Sequence, residues 1–298
     1  MSAKRTILVT GCSDGGLGSA LALALHQQGK WRVFATARNL AKLDAVKAAG
    51  IECLKLDVSS EESVAACAAE IKQLTDGSLD ALVNNAGTGY STPLIHVDMQ
   101  QAHELFDLNV FSIIRVTRAF LPLLIRSQQG ALVANNTSGA GLLGVNIPFQ
   151  GAYGASKAAA ASLTDCLRLE LAPFGIRVVN IVTGSVKTAF FDNSSTPGLP
   201  EDSIYNAAKE AIEGPMFGNQ PGVEKSDAMT WARQVAGDLG KRKAPYMIFR
   251  GSKAGTARLA TLLPVGTLDS VIKEMSGLDV LERAVKDAGV SSDARLAK

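Results

Sequence analysis

Residues 6–18 read TILVTGCSDGGLG, a short apolar run that stops at a cluster of glycines. The run predicts a buried parallel strand ending at Gly11. The alanine- and leucine-rich stretch 18–29 predicts a helix closed by its last glycine. A glycine turn between a strand and a helix start binds anions, because backbone N–H groups and the helix dipole point outward there. The stretch therefore predicts a nucleotide phosphate loop; the alternative is an ordinary strand-to-helix turn.

The same alternation of strand and helix continues to residue 182. It predicts an α/β protein with a doubly wound parallel sheet (a Rossmann fold), in three α/β/α layers. The expected strands are 6–10, 32–37, 51–56, 79–83, 131–135 and 176–182, and the expected helices 18–29, 40–49, 60–74, 99–127 and 153–172.

The pattern changes after residue 182. Residues 192–220 are rich in Ser, Pro, Gly and Asn, which predicts a mobile loop with short helical pieces. Helix 227–239 and a last strand 246–249 are expected next, followed by a helical tail. We expect one domain over residues 1–298, with a core at 5–190, a substrate lid at 188–245 and an extension at 250–298.

Composition excludes several classes of function. The net charge of +2 gives no basic field for nucleic acid. Four cysteines without a C-x-x-C pair fit a reduced cytosol, and three histidines without ligand spacing predict no metal site. No signal peptide is visible, and no run of about 18 apolar residues predicts a membrane span.

Arg38 follows the second predicted strand, in the sequence ATARN at 35–39. A carboxylate at this point accepts from the ribose 2′-OH of NAD, whereas an arginine accommodates the 2′-phosphate of NADP. No acid is present, so Arg38 predicts NADPH/NADP+ as the cofactor. The alternative is an exposed arginine at a helix start.

Tyr153 and Lys157 stand four residues apart and so share one face of a predicted helix. A free tyrosine has a pKa of about 10. A neighbouring ammonium and a positive oxidised nicotinamide would lower that pKa and allow acid–base catalysis. The alternative is an unremarkable surface pair, which the upstream nucleotide loop argues against.

Two further polar residues accompany this pair. Ser138 ends a predicted strand, where its hydroxyl would donate to a substrate carbonyl, while Thr137 should point away. Asn109 lies inside a predicted helix, where asparagine is unfavourable. It is expected to hold a water that passes protons to Lys157, or else to mark a helix irregularity.

Together these motifs closely resemble the short-chain dehydrogenase/reductase family over residues 5–190. The resemblance implies a catalytic tetrad of Asn109, Ser138, Tyr153 and Lys157. It implies Asp57 and Val58 near the adenine, Asn84 near the adenosine ribose, and Val186 and Thr188 beside the nicotinamide amide. The complete expected cofactor set is Gly11, Ser13, Gly16, Leu17, Gly18, Arg38, Asp57, Val58, Asn84, Ala86, Gly87, Tyr153, Lys157, Thr183, Gly184, Val186 and Thr188.

Three departures from the family pattern stand out. The glycine loop carries one extra residue, at Asp14-Gly15. The interval from Ser138 to Tyr153 is longer than usual, with Val145-Asn146 as the apparent insertion. Thr183-Gly184 replaces the common Pro-Gly. These features are similar to a subgroup with the NADPH-dependent 1-acyldihydroxyacetone phosphate reductases of fungi and related 17β-hydroxysteroid dehydrogenase-like enzymes.

The expected function is NADPH-dependent reduction of a ketone on an apolar, lipid- or polyketide-like molecule. The lid residues Phe190, Phe191, Ile204, Tyr205 and Phe217 favour an apolar ligand, or else pack the lid onto the body. Alternatives are an alcohol dehydrogenase of the steroid or retinol type, a reductase of a C=C or imine bond, and an inactive nucleotide sensor. The intact Tyr–Lys pair argues against the sensor.

Partners and location are weaker expectations. The resemblance implies a homodimer or tetramer formed through the helices that carry Asn109 and Tyr153. Residues 158–161, four alanines, would permit close helix approach, although a core-facing stripe explains them equally. The expected location is cytoplasmic, with peripheral contact at the endoplasmic reticulum or lipid droplets left open.

Overall fold

The computed structural model describes residues 4–142, 144–241, 243 and 245–289. Within them, a seven-stranded sheet runs in the order β3-β2-β1-β4-β5-β6-β9, and every neighbouring pair is parallel. The strands are β1 (Arg5–Val9), β2 (Trp31–Ala37), β3 (Glu52–Lys55), β4 (Ala81–Asn84), β5 (Leu132–Ser138), β6 (Arg177–Thr183) and β9 (Met247–Arg250), with β7 (Val186–Lys187) and β8 (Ser226–Asp227) forming a separate pair.

Helices cover both faces of this sheet, which confirms the predicted fold class. One apolar core contains Leu25 of the first helix and Trp231 of the eighth, and the other contains Ile71 of the third and Phe120 of the fifth. The helices are α1 (Leu17–Gln27), α2 (Asp44–Ala48), α3 (Glu61–Leu74), α4 (Met99–Phe106), α5 (Ser112–Ile125), α6 (Gly151–Leu171), α7 (Lys209–Met216), α8 (Ala228–Leu239), α9 (Ala254–Ala260), α10 (Asp269–Ser276) and α11 (Leu278–Asp287).

The helix predicted over 40–49 is wrong in one respect, because it is broken at Leu43. A 3₁₀ turn, Leu40–Lys42, precedes α2, and Leu43 is buried between them. The Asp14 carboxylate accepts from the backbone N–H groups of Asp44 and Ala45 at 2.9 and 3.2 Å. The glycine loop, although distant in the chain, therefore caps the start of α2 through Asp14.

The predicted helix 99–127 contains a π-turn, Asp107–Phe111, between α4 and α5. Such turns insert one extra residue and are frequent at functional sites. Taken as one unit, Met99–Ile125 is, among the described residues, the single helix long and apolar enough to cross a membrane by length and composition. Half of an apolar stretch of 18 residues within it is buried inside the protein, and the core helix of a globular protein meets the same criteria.

The lid segment 192–220 has structure of its own. It contains a 3₁₀ turn, Asn206–Ala208, and α7, and with α11 it encloses a third apolar cluster around Phe149, Ile212 and Met216. The described part of the extension, 250–289, forms α9 to α11. The remainder of the predicted extension, 290–298, lies outside the described residues.

Candidate active site

A cleft of about 670 Å³ opens where β1, β4, β5 and β6 end. The strand order reverses between β1 and β4, which is where ligands bind in open parallel sheets. Most residues predicted for the site line this cleft: Gly11, Ser13, Gly16, Leu17, Arg38, Val58, Ala86, Gly87, Ser138, Tyr153, Lys157, Thr183, Gly184, Val186 and Thr188. The site residues predicted from sequence thus largely converge in space.

Two glycines of the phosphate loop are sterically required. Gly11 has φ +70°, and a Cβ there would lie 2.8 Å from the Cα of Ala86. Gly18 is outside the cleft lining, but a Cβ on it would lie 2.3 Å from the carbonyl oxygen of Gly11. Gly11 thus lets the loop pack against Ala86, and Gly18 lets it pack against the start of α1, whose free N–H groups favour an anion.

The extra residue in the loop is anchored on two sides. Gly15 has φ +75°, and its carbonyl accepts from the Ala189 N–H at 3.1 Å. On the other side, the Asp14 N–H donates to the Lys42 carbonyl at 2.8 Å, beside the carboxylate contacts with α2. The insertion therefore joins the phosphate loop to both the lid and the segment after β2.

Arg38 lies exposed at one part of the cleft wall, together with Ser13, Asn39 and Lys42. Within the described residues, neither Arg38 nor Lys42 forms an ion pair, so two cations are available to a phosphate. Strand β2 stands three positions from β5 in the sheet, which separates Arg38 from Ser138 by roughly 14 Å across the strands. Sequence reasoning missed Lys42, because a lysine after a short turn carries no signal of its own.

Tyr153, Ser138 and Lys157 come together at the other part of the cleft. Ser138 lies close enough to Tyr153 to lower its pKa, and the Lys157 Nζ lies 6.0 Å from the centre of the Tyr153 ring. Lys157 is buried, and its Nζ donates to the Asn136 carbonyl at 3.1 Å. As predicted for Thr137, its hydroxyl turns away and donates to Asn180 Oδ1 at 2.6 Å.

Burial dominates the acid–base properties of this pair. It raises the pKa of Tyr153, and Ser138 partly lowers it, so Tyr153 keeps its proton at neutral pH. Burial also lowers the pKa of Lys157 to about 8, and the Lys157 Nζ donates to the Asn136 carbonyl. The expected lowering of the Tyr153 pKa by the ammonium together with an oxidised nicotinamide stays a prediction.

Replacing Lys157 by methionine is expected to stabilise the cofactor-free fold at neutral pH by about 2 kcal/mol. The pKa of Lys157 falls from 10.5 to about 8 on folding. The buried charge therefore destabilises the fold below pH 8, and this cost disappears as the pH rises towards 10.5. Thermal melting against pH checks this, with Lys55→Met as the exposed control. A lower melting temperature for Lys157→Met at neutral pH would contradict it.

Asn109 lies in the π-turn and is hydrogen-bonded to the segment that follows β4. Its Oδ1 accepts from the Thr88 N–H, and its Nδ2 donates to the Thr88 carbonyl, both at 2.9 Å. Nδ2 also donates to Ser156 Oγ at 3.0 Å, and Ser156 Oγ donates to the Tyr153 carbonyl at 2.7 Å. Both polar atoms of the Asn109 side chain are thus hydrogen-bonded to protein groups, and the proton relay through water stays a prediction.

Three residues predicted to bind the cofactor lie outside the cleft lining: Gly18, Asp57 and Asn84. The Asn84 side chain is turned into the protein, where its Nδ2 donates to Thr117 Oγ1 and Asn135 Oδ1 at 3.1 and 2.8 Å, and its place near the adenosine ribose stays a prediction. Its neighbour Asn85 lines the cleft instead. The side chain of Asp57 accepts from the Ser59 N–H, and Val58 rather than Asp57 lines the wall.

The residues that line the cleft fit a nicotinamide dinucleotide. The glycine loop leaves backbone N–H groups for a pyrophosphate, and Lys157 has N–H groups left after its bond to Asn136 for a ribose. A Cβ on Gly87 would lie 2.9 Å from Asn109 Oδ1 and 3.4 Å from Lys157 Nζ, so the missing side chain keeps this corner open. Fold and site together define an oxidoreductase of the Rossmann type with a tyrosine acid–base group.

The chain belongs to the short-chain dehydrogenase family, which matches residues 5–198. It is 43% identical over 291 residues to a short-chain dehydrogenase/reductase of Pestalotiopsis microspora, covering 97% of this chain and 100% of that one. It is 36% identical over 280 residues to the NADPH-dependent 1-acyldihydroxyacetone phosphate reductase of Schizosaccharomyces pombe, covering 89% and 92%. The protein is therefore an oxidoreductase that uses a nicotinamide dinucleotide.

Solved structures agree with this assignment. A short-chain dehydrogenase from Streptomyces avermitilis superposes with a TM-score of 0.73 at 30% identity, covering 95% of this chain and 98% of that one. An alcohol dehydrogenase from Thermococcus sibiricus, complexed with 5-hydroxy-NADP, gives a TM-score of 0.64 at 26% identity, covering 83% and 94%.

Proposed function

We propose that this enzyme uses NADPH to reduce a ketone on an apolar small molecule to a secondary alcohol. The observation that carries the proposal is the position of Tyr153, which lines the cleft together with Ser138 and Lys157 and packs against the Phe190 ring. A tyrosine that keeps its proton at neutral pH is ready to donate it to a carbonyl oxygen.

The arrangement of side chains defines their roles in such a reduction. When bound, a reduced nicotinamide supplies the hydride. Ser138 donates to the carbonyl oxygen and stabilises the negative charge that develops there. Tyr153 transfers its Oη proton to the same oxygen. Lys157, fixed by the Asn136 carbonyl, holds the nicotinamide ribose and favours the phenolate that remains.

The choice of NADPH over NADH is supported by the two free cations at the cleft wall. Arg38 and Lys42 provide a guanidinium and an ammonium where a 2′-phosphate would lie, and no carboxylate follows β2 to accept from a 2′-hydroxyl. The Schizosaccharomyces pombe relative is named as NADPH-dependent. The Thermococcus sibiricus structure holds an NADP derivative.

Arg38→Glu is expected to weaken NADPH use by about a hundredfold in kcat/KM, the loss of a charged hydrogen bond of about 3 kcal/mol. NADH use should stay level or improve, because a carboxylate accepts from the ribose 2′-OH. Steady-state kinetics with both cofactors measures this, with Arg233→Glu as an exposed control outside the cleft. Unchanged Michaelis constants for both cofactors in Arg38→Glu would overturn the assignment.

The apolar character of the substrate rests on two lid aromatics. The Phe190 ring lies 5.6 Å from the Tyr153 ring, and Phe191 packs edge-on against Phe190 at 5.4 Å. The other predicted aromatics do not support the expectation. Tyr205 packs on Phe149 in the third cluster, and Ile204 and Phe217 are exposed away from the cleft lining, at 71% and 46%. Lid packing therefore explains part of this set.

A panel of ketones tests the proposed reaction. NADPH oxidation is followed with an acyl-dihydroxyacetone phosphate, a steroid ketone and an aromatic polyketide ketone. Turnover with one class would identify the substrate type. Tight NADPH binding without turnover on any ketone would move the assignment to reduction of a different bond.

Self-association and location remain predictions. Members of this family are commonly oligomeric, and α5 leaves Ile114 exposed at 41%, with Phe111 of the adjoining π-turn exposed at 52%. Of the four alanines at 158–161, Ala160 is fully buried whereas Ala158 is exposed. We propose a homodimer through this helix face, tested by sedimentation of the wild type and Phe111→Asp.

A further inference from the structure

A line of polar side chains crosses the ends of four neighbouring strands beneath the cleft. Thr183 Oγ1, at the end of β6, donates to Asn136 Oδ1 of β5 at 2.6 Å. Asn136 Nδ2 donates to Asn85 Oδ1, just after β4, at 2.9 Å. Asn85 Nδ2 donates to the carbonyl of Thr10, just after β1, at 2.9 Å. Every bond points the same way, so each donor strengthens the next.

This line connects the phosphate loop with the start of the lid. Asn85 Nδ2 also approaches the Gly11 carbonyl at 3.3 Å, which places one end of the line at the glycine loop. Thr183 at the other end is followed by Gly184, where a Cβ would lie 2.1 Å from the Ser252 carbonyl. Both ends are therefore packed tightly against backbone and cannot shift without cost.

The position of the Lys157 ammonium depends on Asn136, in the middle of this line of polar side chains. Its Nζ donates to the backbone carbonyl of Asn136, the residue whose side chain is bonded on both sides, to Thr183 and to Asn85. Rotation of the Asn136 peptide would break one of these side-chain bonds. Asn136 pairs with Ile181 of β6, and its side-chain bonds to Thr183 and Asn85 hold the same residue. We infer that these bonds refine the position of the carbonyl and of the ammonium from which it accepts.

The identity of Thr183 matters for this arrangement. A proline at position 183, the residue that the family pattern favours, has no hydroxyl and could not donate to Asn136 Oδ1. Without that donor, a partly buried amide oxygen would lose its partner. Thr183 and Asn136 thus form a matched pair: the Thr183 hydroxyl supplies the hydrogen bond that the polar side chain of Asn136 needs at the end of its strand.

We propose that Thr183 and Asn136 are positioning residues, which fix Lys157 and through it align Tyr153 and the nicotinamide ribose. This inference rests on the proposed function for its kinetic readout, but its binding readout does not. Tyr153 is the titratable side chain placed beside Lys157, and burial is the cause of the lowered pKa of Lys157.

Thr183→Val removes the donor while keeping the shape, and Thr183→Ser keeps the donor. Thr164→Val is the matched control, because it removes a buried threonine hydroxyl that accepts from the adjacent Asn135 at 3.0 Å, away from the cleft. Each variant is measured for turnover against pH, for NADPH dissociation constant against pH by cofactor fluorescence, and for melting temperature. If the valine variant does not fold, Thr183→Ala removes the same donor.

Thr183→Val is expected to lose about tenfold in kcat, as misplaced catalytic groups do. The midpoint of the alkaline fall in its pH profiles should move to lower pH. A hydrogen bond to a fixed carbonyl favours the charged form of Lys157, and the variant weakens that bond. Thr183→Ser keeps the donor and should recover most of the kcat and of the midpoint that Thr183→Val loses, and Thr164→Val should lose stability without a change in midpoint.

Equal losses of stability in Thr183→Val and Thr164→Val, with both pH profiles unmoved, would overturn the inference. If the wild type reduces no ketone, the proposed function fails, yet the pH dependence of NADPH binding still decides the positioning role. A shift of this pH dependence in Thr183→Val alone would support that role, and the absence of a shift would contradict it.

Discussion

Tyr153→Phe is expected to lower kcat by about a thousandfold, within the range that a positioned general acid contributes. The substitution removes one oxygen and keeps the ring that packs against Phe190. Because Lys157 and the glycine loop are unaltered, the dissociation constant for NADPH should stay near that of the wild type. Single-turnover oxidation of NADPH with an accepted ketone measures the chemical step directly.

A matched control separates loss of the phenol from general damage to the lid. Tyr205→Phe removes the hydroxyl of a tyrosine that packs on Phe149, outside the cleft lining, so its turnover should equal that of the wild type. Equal turnover in Tyr153→Phe and Tyr205→Phe would remove Tyr153 from the role of proton donor, whatever their cofactor affinities.

Gly18→Ala is expected to weaken NADPH binding by about a hundredfold, which corresponds to about 3 kcal/mol. The new Cβ would lie 2.3 Å from the Gly11 carbonyl oxygen and 2.8 Å from its carbon. Both are backbone atoms, so the phosphate loop itself must move away from α1. The melting temperature should fall as well, and fluorescence titration with NADPH gives the affinity.

Gly237→Ala in α8 is the control for this substitution. A Cβ there meets nothing within 4 Å, and alanine is favoured over glycine inside a helix. It should therefore bind NADPH normally and melt at or above the wild-type temperature. Normal cofactor binding in Gly18→Ala would show that the loop tolerates displacement, and would contradict the role given to its close packing.

The sheet and most of the site follow from local sequence. The strand–glycine–helix pattern at 6–18 and the Tyr153–Lys157 spacing each depend on residues close in the chain, and short-range rules apply to them. Helix 40–49 failed for the opposite reason. The structure starts α2 at Asp44, beyond a break at Leu43, and this start is capped by Asp14, some thirty residues away in the chain.

The asparagines show a second limit. Asn84 and Asn85 are adjacent, so their side chains point to different sides of the strand end, and the sequence alone does not tell which one faces the cofactor. The bond between Asn136 and Thr183 was not predicted either, because the two residues come from different strands. The lid aromatics divide between cleft and third cluster for the same reason, as packing partners far apart in sequence decide the outcome.

The measurement that tests the central claim most directly is isotope transfer from NADPH carrying deuterium at the reactive position of its nicotinamide. The enzyme is incubated with the ketone panel, and products are analysed by mass spectrometry and NMR, with Tyr153→Phe alongside. We expect a secondary alcohol with one deuterium on the carbinol carbon, and essentially none from the variant. Tight NADPH binding without labelled alcohol from any ketone, or deuterium on a carbon of a reduced C=C bond, would contradict the account.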